Sequence, residues 1–302
     1  MHRTFVIIRY TFLETVLQPI YSLLLALGAA VLIVFGFLPF FTLGEDTQMF
    51  KTVGLDVILL FVLIATLFAT SKSIYDEIED RTMLTLMSKP VQRWEVLIGK
   101  YLGIIGAAAV AVAALGVVIV LATYLRIPND YLLRYNTINE IELKHLWDLR
   151  LMHMSGLFPS LVLVWFLVSV LAAIGVALST RFPLVVNLPV VILIYIAGNL
   201  TRFLFPIASG PLAGRSVVVQ GIAWFISLLL PYLQTFDLRN LAVLGTVRVP
   251  GTEYADAAQG VSVFFLWKYV VVAGLYAITY ATFALSAGMW IFSNRELGGG
   301  EE

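Results

Sequence analysis

The chain has no cysteine in its 302 residues. That excludes disulfides, thiol nucleophiles and thiolate metal sites, and it leaves the redox compartment undetermined. Charge is scarce as well: Asp, Glu, Lys and Arg together make 13% of the residues and cancel to a formal net charge of zero. Without a basic excess there is no electrostatic footprint for nucleic acid. No G-x-x-x-x-G-K-[ST] run occurs, so the usual cradle for ATP phosphates is missing. Ser155-Gly156 and Ser209-Gly210 are lone dipeptides outside any nucleophile-elbow pattern, and no catalytic residue is assigned. No Asp, Glu, Lys, Arg or His lies near the middle of an apolar run, which disfavours a self-powered, ion-coupled carrier.

What is abundant is hydrocarbon. Hydrophobic residues make 60% of the chain, and the mean hydropathy is +0.94, far from a soluble domain. Runs of about twenty apolar residues fall at 18–41, 53–71, 101–124, 154–178, 184–205 and 268–292. They predict an all-α polytopic membrane protein of six transmembrane helices in one domain, 1–302. The first run lacks a small-residue cleavage site and reads as a retained span. A seventh candidate, 216–230, is shorter, contains Gln220 and stops at Pro231; it suits an extracytoplasmic or re-entrant helix better than a span. Tyr101, Tyr124, Trp147, Trp267, Tyr269 and Trp290 near the run ends fit interfacial belts.

The first seventeen residues mix apolar positions with Arg3, Arg9 and Glu14, and Gln18-Pro19 breaks the run. This predicts a helix along the membrane surface that bends into the bilayer at Pro19. The basic residues of short connections favour a cytoplasmic N-terminus, and six spans then bring the C-terminus to the same side. Extracytoplasmic segments would be 125–152 and 207–266. Small residues recur every four positions at Gly99, Gly103, Ala107 and Ala111, again at Ser169, Ala173 and Ala177, and at Ala273, Ala277 and Ala281. Such stripes let helix backbones approach closely. Asn187 and Asn199, the strongest polar groups at depth, are expected to bond between helices. His145, Met152, His153 and Met154 cluster in a manner open to copper, but the preferred reading is an interfacial helix entering the fourth span, with no metal site.

Residues 72–100 carry ten charges: Lys72, Asp76, Glu77, Glu79, Asp80, Arg81, Lys89, Arg93, Glu95 and Lys100. A bilayer does not hold such an island, so it lies in water between two spans. Within it RTMLTLMSKP mixes apolar and polar residues and closes on a proline. The stretch IEDRTMLTLMSKPVQRWEVLIGKYLG resembles the segment between spans two and three of the permease subunits of type-2 ABC exporters. The matching positions are Glu79, Arg81, Thr82, Leu86, Met87, Ser88, Pro90, Val91, Arg93 and Lys100. LLLPYLQTFDLRNLAVLG, with Pro231, Phe236, Asp237, Leu238 and Arg239, is similar to that family's segment before the last span, and WIFSNRELG to its C-terminal exit. The likeness is closest to the permeases linked with multi-copper enzyme maturation.

The resemblance implies a membrane-spanning permease subunit with an elbow helix, a cytoplasmic coupling helix between spans two and three, and both termini in the cytoplasm of a plasma (inner) membrane. It implies two copies of a separate ABC ATPase, with ATP and Mg held on that partner and no cofactor in this chain. It also implies a permease homodimer, or a heterodimer with a sister permease, whose seam uses spans one and five through Leu23, Leu24, Phe35, Leu188 and Ile192. The residues proposed for the ATPase contact are Glu77, Glu79, Arg81, Thr82, Leu84, Leu86, Met87, Ser88, Pro90 and Arg93. Met83 and the apolar members would fill a groove on the partner, and the charged ones would pair at its rim. The alternatives are a polytopic scaffold or assembly factor and a self-contained carrier. Substrate identity stays open.

Overall fold

Hydrocarbon offers the backbone no hydrogen-bond partner, so apolar runs of this length are forced into helices that satisfy their own N–H and C=O groups. The computed structural model describes residues 2–38, 46–77, 92–135, 140–204, 221, 230–238, 247–250 and 261–293. Helix α1 (His2–Leu17) exposes Phe5, Tyr10 and Leu17 on one side and buries Thr11 and Thr15 on the other. Gln18 is extended, at φ −64° and ψ 130°, and Pro19 opens α2 (Pro19–Phe37). A helix breaks here because proline cannot donate to the preceding turn and forces its predecessor out of the helical region. The break expected at Gln18-Pro19 is present.

Helix α3 (Asp46–Ser71) continues into a π-helical turn at Lys72–Asp76. Helix α4 runs Arg93–Tyr135, 43 residues, which at 1.5 Å per residue is about 64 Å, roughly twice the hydrocarbon thickness. The apolar run at 101–124 is thus only the middle of a longer helix. Helix α5 (Glu140–Ser155) leads through Gly156 directly into α6 (Leu157–Ser179). Helix α7 (Leu184–Leu204) contains Pro189, and α8 (Val263–Ser293) is the last described helix. Before it, Leu233–Phe236 forms one 3₁₀ turn, and Val247–Arg248 (β1) pairs in parallel with Val261–Ser262 (β2).

Among the described residues, five stretches are helical, long and apolar enough to cross a membrane: Pro19–Phe37, Thr47–Tyr75, Arg93–Ile127, Leu146–Ser179 and Val263–Ser293. The chain is an all-α polytopic membrane protein. The run expected as span five forms α7 itself, Leu184–Leu204, and Leu184–Leu200 within it is an apolar helix. The candidate helix at 216–230 lies, apart from Gly221 and Leu230, outside the described residues.

Helix α6 is the axis of the bundle. Leu163, Val168, Val170, Leu171, Ala172, Ala173 and Val176 are fully buried, and α3, α4 and α8 surround them. The stripe on α6 meets the stripe on α8: a Cβ on Gly288 would stand 2.7 Å from the Cα of Ala177, and one on Gly274 would stand 3.0 Å from the ring of Phe166. These small residues are spent inside the chain, where dispersion between close backbones replaces the hydrophobic effect that lipid cannot supply.

Polar groups at depth do local work. Asn187 on α7 donates to Ser71 Oγ at 2.7 Å and to the Gly175 carbonyl at 3.0 Å, tying α7 to α3 and α6. Asn199 differs from expectation. Its side chain donates back to Tyr195 of its own helix at 2.9 Å, while its carbonyl accepts from Gln234 at 3.0 Å. The 3₁₀ turn is docked by that bond, by Tyr232 N–H donating to Tyr276 Oη at 2.8 Å, and by the buried side chains of Leu233, Phe236 and Leu238. Gly198 admits it, since a Cβ there would stand 2.8 Å from the Pro231 carbonyl oxygen.

Candidate functional site

The charged island between α3 and α4 is described only at its two ends. Glu79, Arg81, Thr82, Leu84, Leu86, Met87, Ser88 and Pro90 all fall in 78–91, outside the described residues. Glu77 and Arg93 flank that stretch, and each is anchored.

At the departing end the π turn brings Ser73 and Glu77 beside Lys100 of α4. Lys100 is 2% exposed. Its ammonium donates to the Ser73 carbonyl, to Ser73 Oγ at 3.3 Å, and to the Glu77 carboxylate as an ion pair. Three acceptors for three N–H donors meet the condition under which a buried ammonium is tolerated. The one-residue expansion of a π turn changes which side chains face α4, and that is the local reason Ser73 and Glu77 converge on one cation. Ser71 joins from the preceding turn by accepting the Asn187 bond.

Glu14 of α1 approaches the same foot. Burial raises its carboxyl above the usual range; Lys100 and Lys72 pull it down, and Glu77 pushes it up. One of its oxygens, Oε2, is buried without a hydrogen-bond partner among the described residues. Glu14, Lys72, Ser73, Glu77 and Lys100 thus form one electrostatic group drawn from α1, the end of α3 and the start of α4.

At the returning end, Glu95 accepts from the Gln92 backbone N–H at 3.1 Å. This is the reciprocal half of a capping box, with Gln92 as the cap and Glu95 three residues on. Arg93 donates through Nη1 to the Phe292 and Ser293 carbonyls at 2.7 and 3.0 Å and lies over the Phe292 ring at 5.3 Å. A guanidinium is well placed at the C-terminal carbonyls of α8, where the helix dipole is negative. Arg93, reckoned among the ATPase-facing residues, therefore ties the start of α4 to the end of α8.

The stripe on α4 finds its partner here too. A Cβ on Gly99 would come within 2.8 Å of Ile7 Cγ2, and one on Gly103 within 2.8 Å of the Ile8 carbonyl oxygen and 3.0 Å of Phe12 N. Ala107 and Ala111 are buried, and the Ala107 carbonyl accepts from Tyr21 Oη at 2.8 Å. The stripe seats the surface helix and the start of α2. The neighbour of a small-residue stripe is not readable from its spacing, which is why sequence reasoning left it open.

Other expected residues fare differently. His153 faces Lys51, with Nδ1 at 3.1 Å from the buried ammonium. A cation in that place works against a metal cation, and no group of three His, Cys, Asp or Glu that could hold a metal occurs among the described residues. The His145 side chain is outside the described residues. Of the five residues assigned to a seam, Leu23 is exposed, while Leu24, Phe35, Leu188 and Ile192 pack partly against the core. Three buried cations went unforeseen as structural parts: Lys51, Lys100 and Arg126, the last donating to the Phe35 and Gly36 carbonyls at 3.2 Å to close the end of α2. All three stand at the flanks of their apolar runs, where hydropathy assigns them to water.

Set against known proteins, the chain is matched by the family model for ABC-2 family transporter protein over residues 28–297. No curated protein matches it.

Proposed function

We propose a coupling mechanism for this chain, which belongs to the ABC-2 transporter family and is a permease subunit of an ABC transporter: its polar foot carries the motion of a separate ATPase into the bundle. Permeases of this family typically partner with such an ATPase subunit. Here residues 78–91 form the docking element, with Met83, Leu84, Leu86 and Met87 in an apolar groove and Glu79, Arg81 and the flanking charges at its rim. Methionine stays packed while such a groove changes shape.

The observation that carries this reading is the double anchoring of that stretch. Glu77 is held by Lys100 on α4, and Arg93 by the end of α8. A push on 78–91 therefore reaches α3, α4, α8 and, through Glu14 and the Gly99/Gly103 seat, α1 together. An unanchored connection would absorb the same push in its own dihedrals.

The rest of the proposal follows the family. The permease has six spans with α7 as the fifth, the foot and both termini lie in the cytoplasm, and the membrane is the plasma membrane. Two permeases meet two ATPases, and the direction is export. In type the chain resembles the permeases linked with multi-copper enzyme maturation. The seam between permeases uses α2 and α7, whose exposed faces carry Leu23, Leu27 and Val34 on the first and Val185, Leu193 and Ile196 on the second.

The test is co-purification. Leu86→Asp with Met87→Asp should abolish recovery of the ATPase while membrane insertion stays intact, since neither residue lies in lipid. Undiminished recovery with the double variant would sink the coupling assignment.

A further inference from the structure

Further along α4 than its glycine seat, α4, α6 and the start of α8 enclose a cleft of about 610 Å³. Its walls are Ala113, Val117, Leu121, Phe158, Trp165 and Trp267 with their neighbours, and they present almost no polar surface. The Trp165 indole N–H already donates to the Ile105 carbonyl at 3.0 Å. Nothing inside asks for a hydrogen bond, so water gains no partners there and stays out. An empty cleft would forfeit dispersion contacts along every wall. Between membrane-spanning helices, the material at hand to fill it is the hydrocarbon of the bilayer.

The end of the cleft is not apolar. Tyr124 stands three residues beyond Leu121, one turn further along the same face of α4. Over its ring, at 4.0 Å, lies the guanidinium of Arg150 from α5, with Nη1 donating to Tyr124 Oη at 2.9 Å. Arg150 Nε is buried and has no acceptor among the described residues. A buried N–H donor of a guanidinium ordinarily finds a partner, and its fork geometry matches a phosphate. At the mouth, Trp267 is followed by Lys268, exposed and 4.8 Å over the Phe264 ring. Tryptophan and lysine side by side mark the level of lipid headgroups.

We infer that the cleft is a resident phospholipid site: one acyl chain lies between α4, α6 and α8, and its anionic phosphate is held by the Arg150 guanidinium, with Lys268 at the rim. The ligand is a structural lipid of the leaflet that contains Trp267. The site is separate from the polar foot and does not depend on how that foot works.

The full chain in nanodiscs of phosphatidylcholine with a minor fraction of phosphatidylglycerol, the latter carrying a photoactivatable diazirine on one acyl chain, tests this by peptide mapping of the cross-links. The site predicts concentrated labelling of the α4 and α6 walls. Ala113→Phe with Val117→Phe should reduce that labelling at least several-fold; both side chains point into open space, so the exchange displaces no packed atom. Arg150→Gln leaves the walls untouched and should bring competition by unlabelled phosphatidylglycerol and phosphatidylcholine to parity, whereas the native chain prefers the anionic lipid. Uniform labelling of all lipid-facing helices, unchanged by the filling pair, would overturn the site. Equal competition by both lipids in the native chain would overturn the role of Arg150. Loss of the label during ATP turnover in a reconstituted complex with the ATPase would overturn residency and make the occupant cargo.

Discussion

The seat of the surface helix on α4 offers a graded perturbation, because three glycines face the same partner at different clearances. A methyl at Gly106 would meet only the edge of the Phe12 ring, at 3.4 Å, which is ordinary contact. At Gly99 it would stand 2.8 Å from Ile7 Cγ2 and 3.0 Å from Ile7 Cβ, a clash with one side chain of α1 rather than with its backbone. At Gly103 it would stand 2.8 Å from the Ile8 carbonyl oxygen and 3.0 Å from Phe12 N, both backbone atoms of α1. Carbon contacts settle near 3.5–4.0 Å, so Gly103→Ala requires the whole surface helix to move by about 0.7 Å or more.

Replacing glycine by alanine within a helix gains between zero and about 1 kcal/mol, the lower end applying where the unfolded state stays helical in the membrane. Overpacking costs about 1–3 kcal/mol. The expected order is then Gly106→Ala neutral or slightly stabilising, Gly99→Ala mildly destabilising, and Gly103→Ala destabilising by about 1–3 kcal/mol. Reversible unfolding in mixed micelles measures this directly. A second readout uses the absence of native cysteine: Thr15→Cys places a thiol on the buried face of α1, where Thr15 is 3% exposed. It should react slowly with maleimide in the native background and with Gly106→Ala, and faster with Gly103→Ala. Equal stability and equal reactivity of the Gly103 and Gly106 variants would refute the seat.

Lys100→Met should destabilise by about 1–3 kcal/mol, because it takes the ammonium away from the Ser73 carbonyl and from the Glu77 carboxylate, itself 23% exposed. Combined with Glu77→Gln it should show a coupling of about 0.5–3 kcal/mol in a double-mutant cycle, and strict additivity would dissolve the pair. For Glu14 the sign follows from its raised carboxyl: folding favours the protonated form, so its stabilising contribution is full below the ordinary carboxyl range and is lost as pH rises through the folded value. Glu14→Gln should thus be at least as stable as the native chain at pH 8, with the gap closing on acidification; a native chain that gains on the variant with rising pH contradicts this. The proposed topology is read by single cysteines at Lys72, Asn136, Gln259 and Glu301. An impermeant thiol reagent outside should label only the second and third, and labelling at 301 would move the C-terminus across the membrane.

Much of the architecture was legible in the order of residues. Helices within the apolar runs at 18–41, 53–71, 101–124, 154–178 and 268–292 follow from hydropathy, because lipid leaves the backbone no other way to satisfy itself. The break at Gln18-Pro19 follows from the proline ring. The charged stretch at 72–100 carries a motif that resembles the family that the match over 28–297 shows. These are properties of segments, and each acts on its neighbours in the chain.

What tertiary structure decided are the pairings across the bundle. Spacing announced that Gly99 and Gly103 would be approached closely, but only packing chose α1 as the helix that approaches. Lys51, Lys100 and Arg126 sit at the ends of apolar runs, where composition assigns charges to water. Their acceptors come from His153, from the Ser73 and Glu77 side of a π turn, and from the last carbonyls of α2, each brought in by a different element. Arg93 and the end of α8 are separated by 199 residues and meet within 2.7 Å. A burial penalty and its compensation are both set by three-dimensional neighbours, so sequence order carries the charge but not the partner that makes it tolerable.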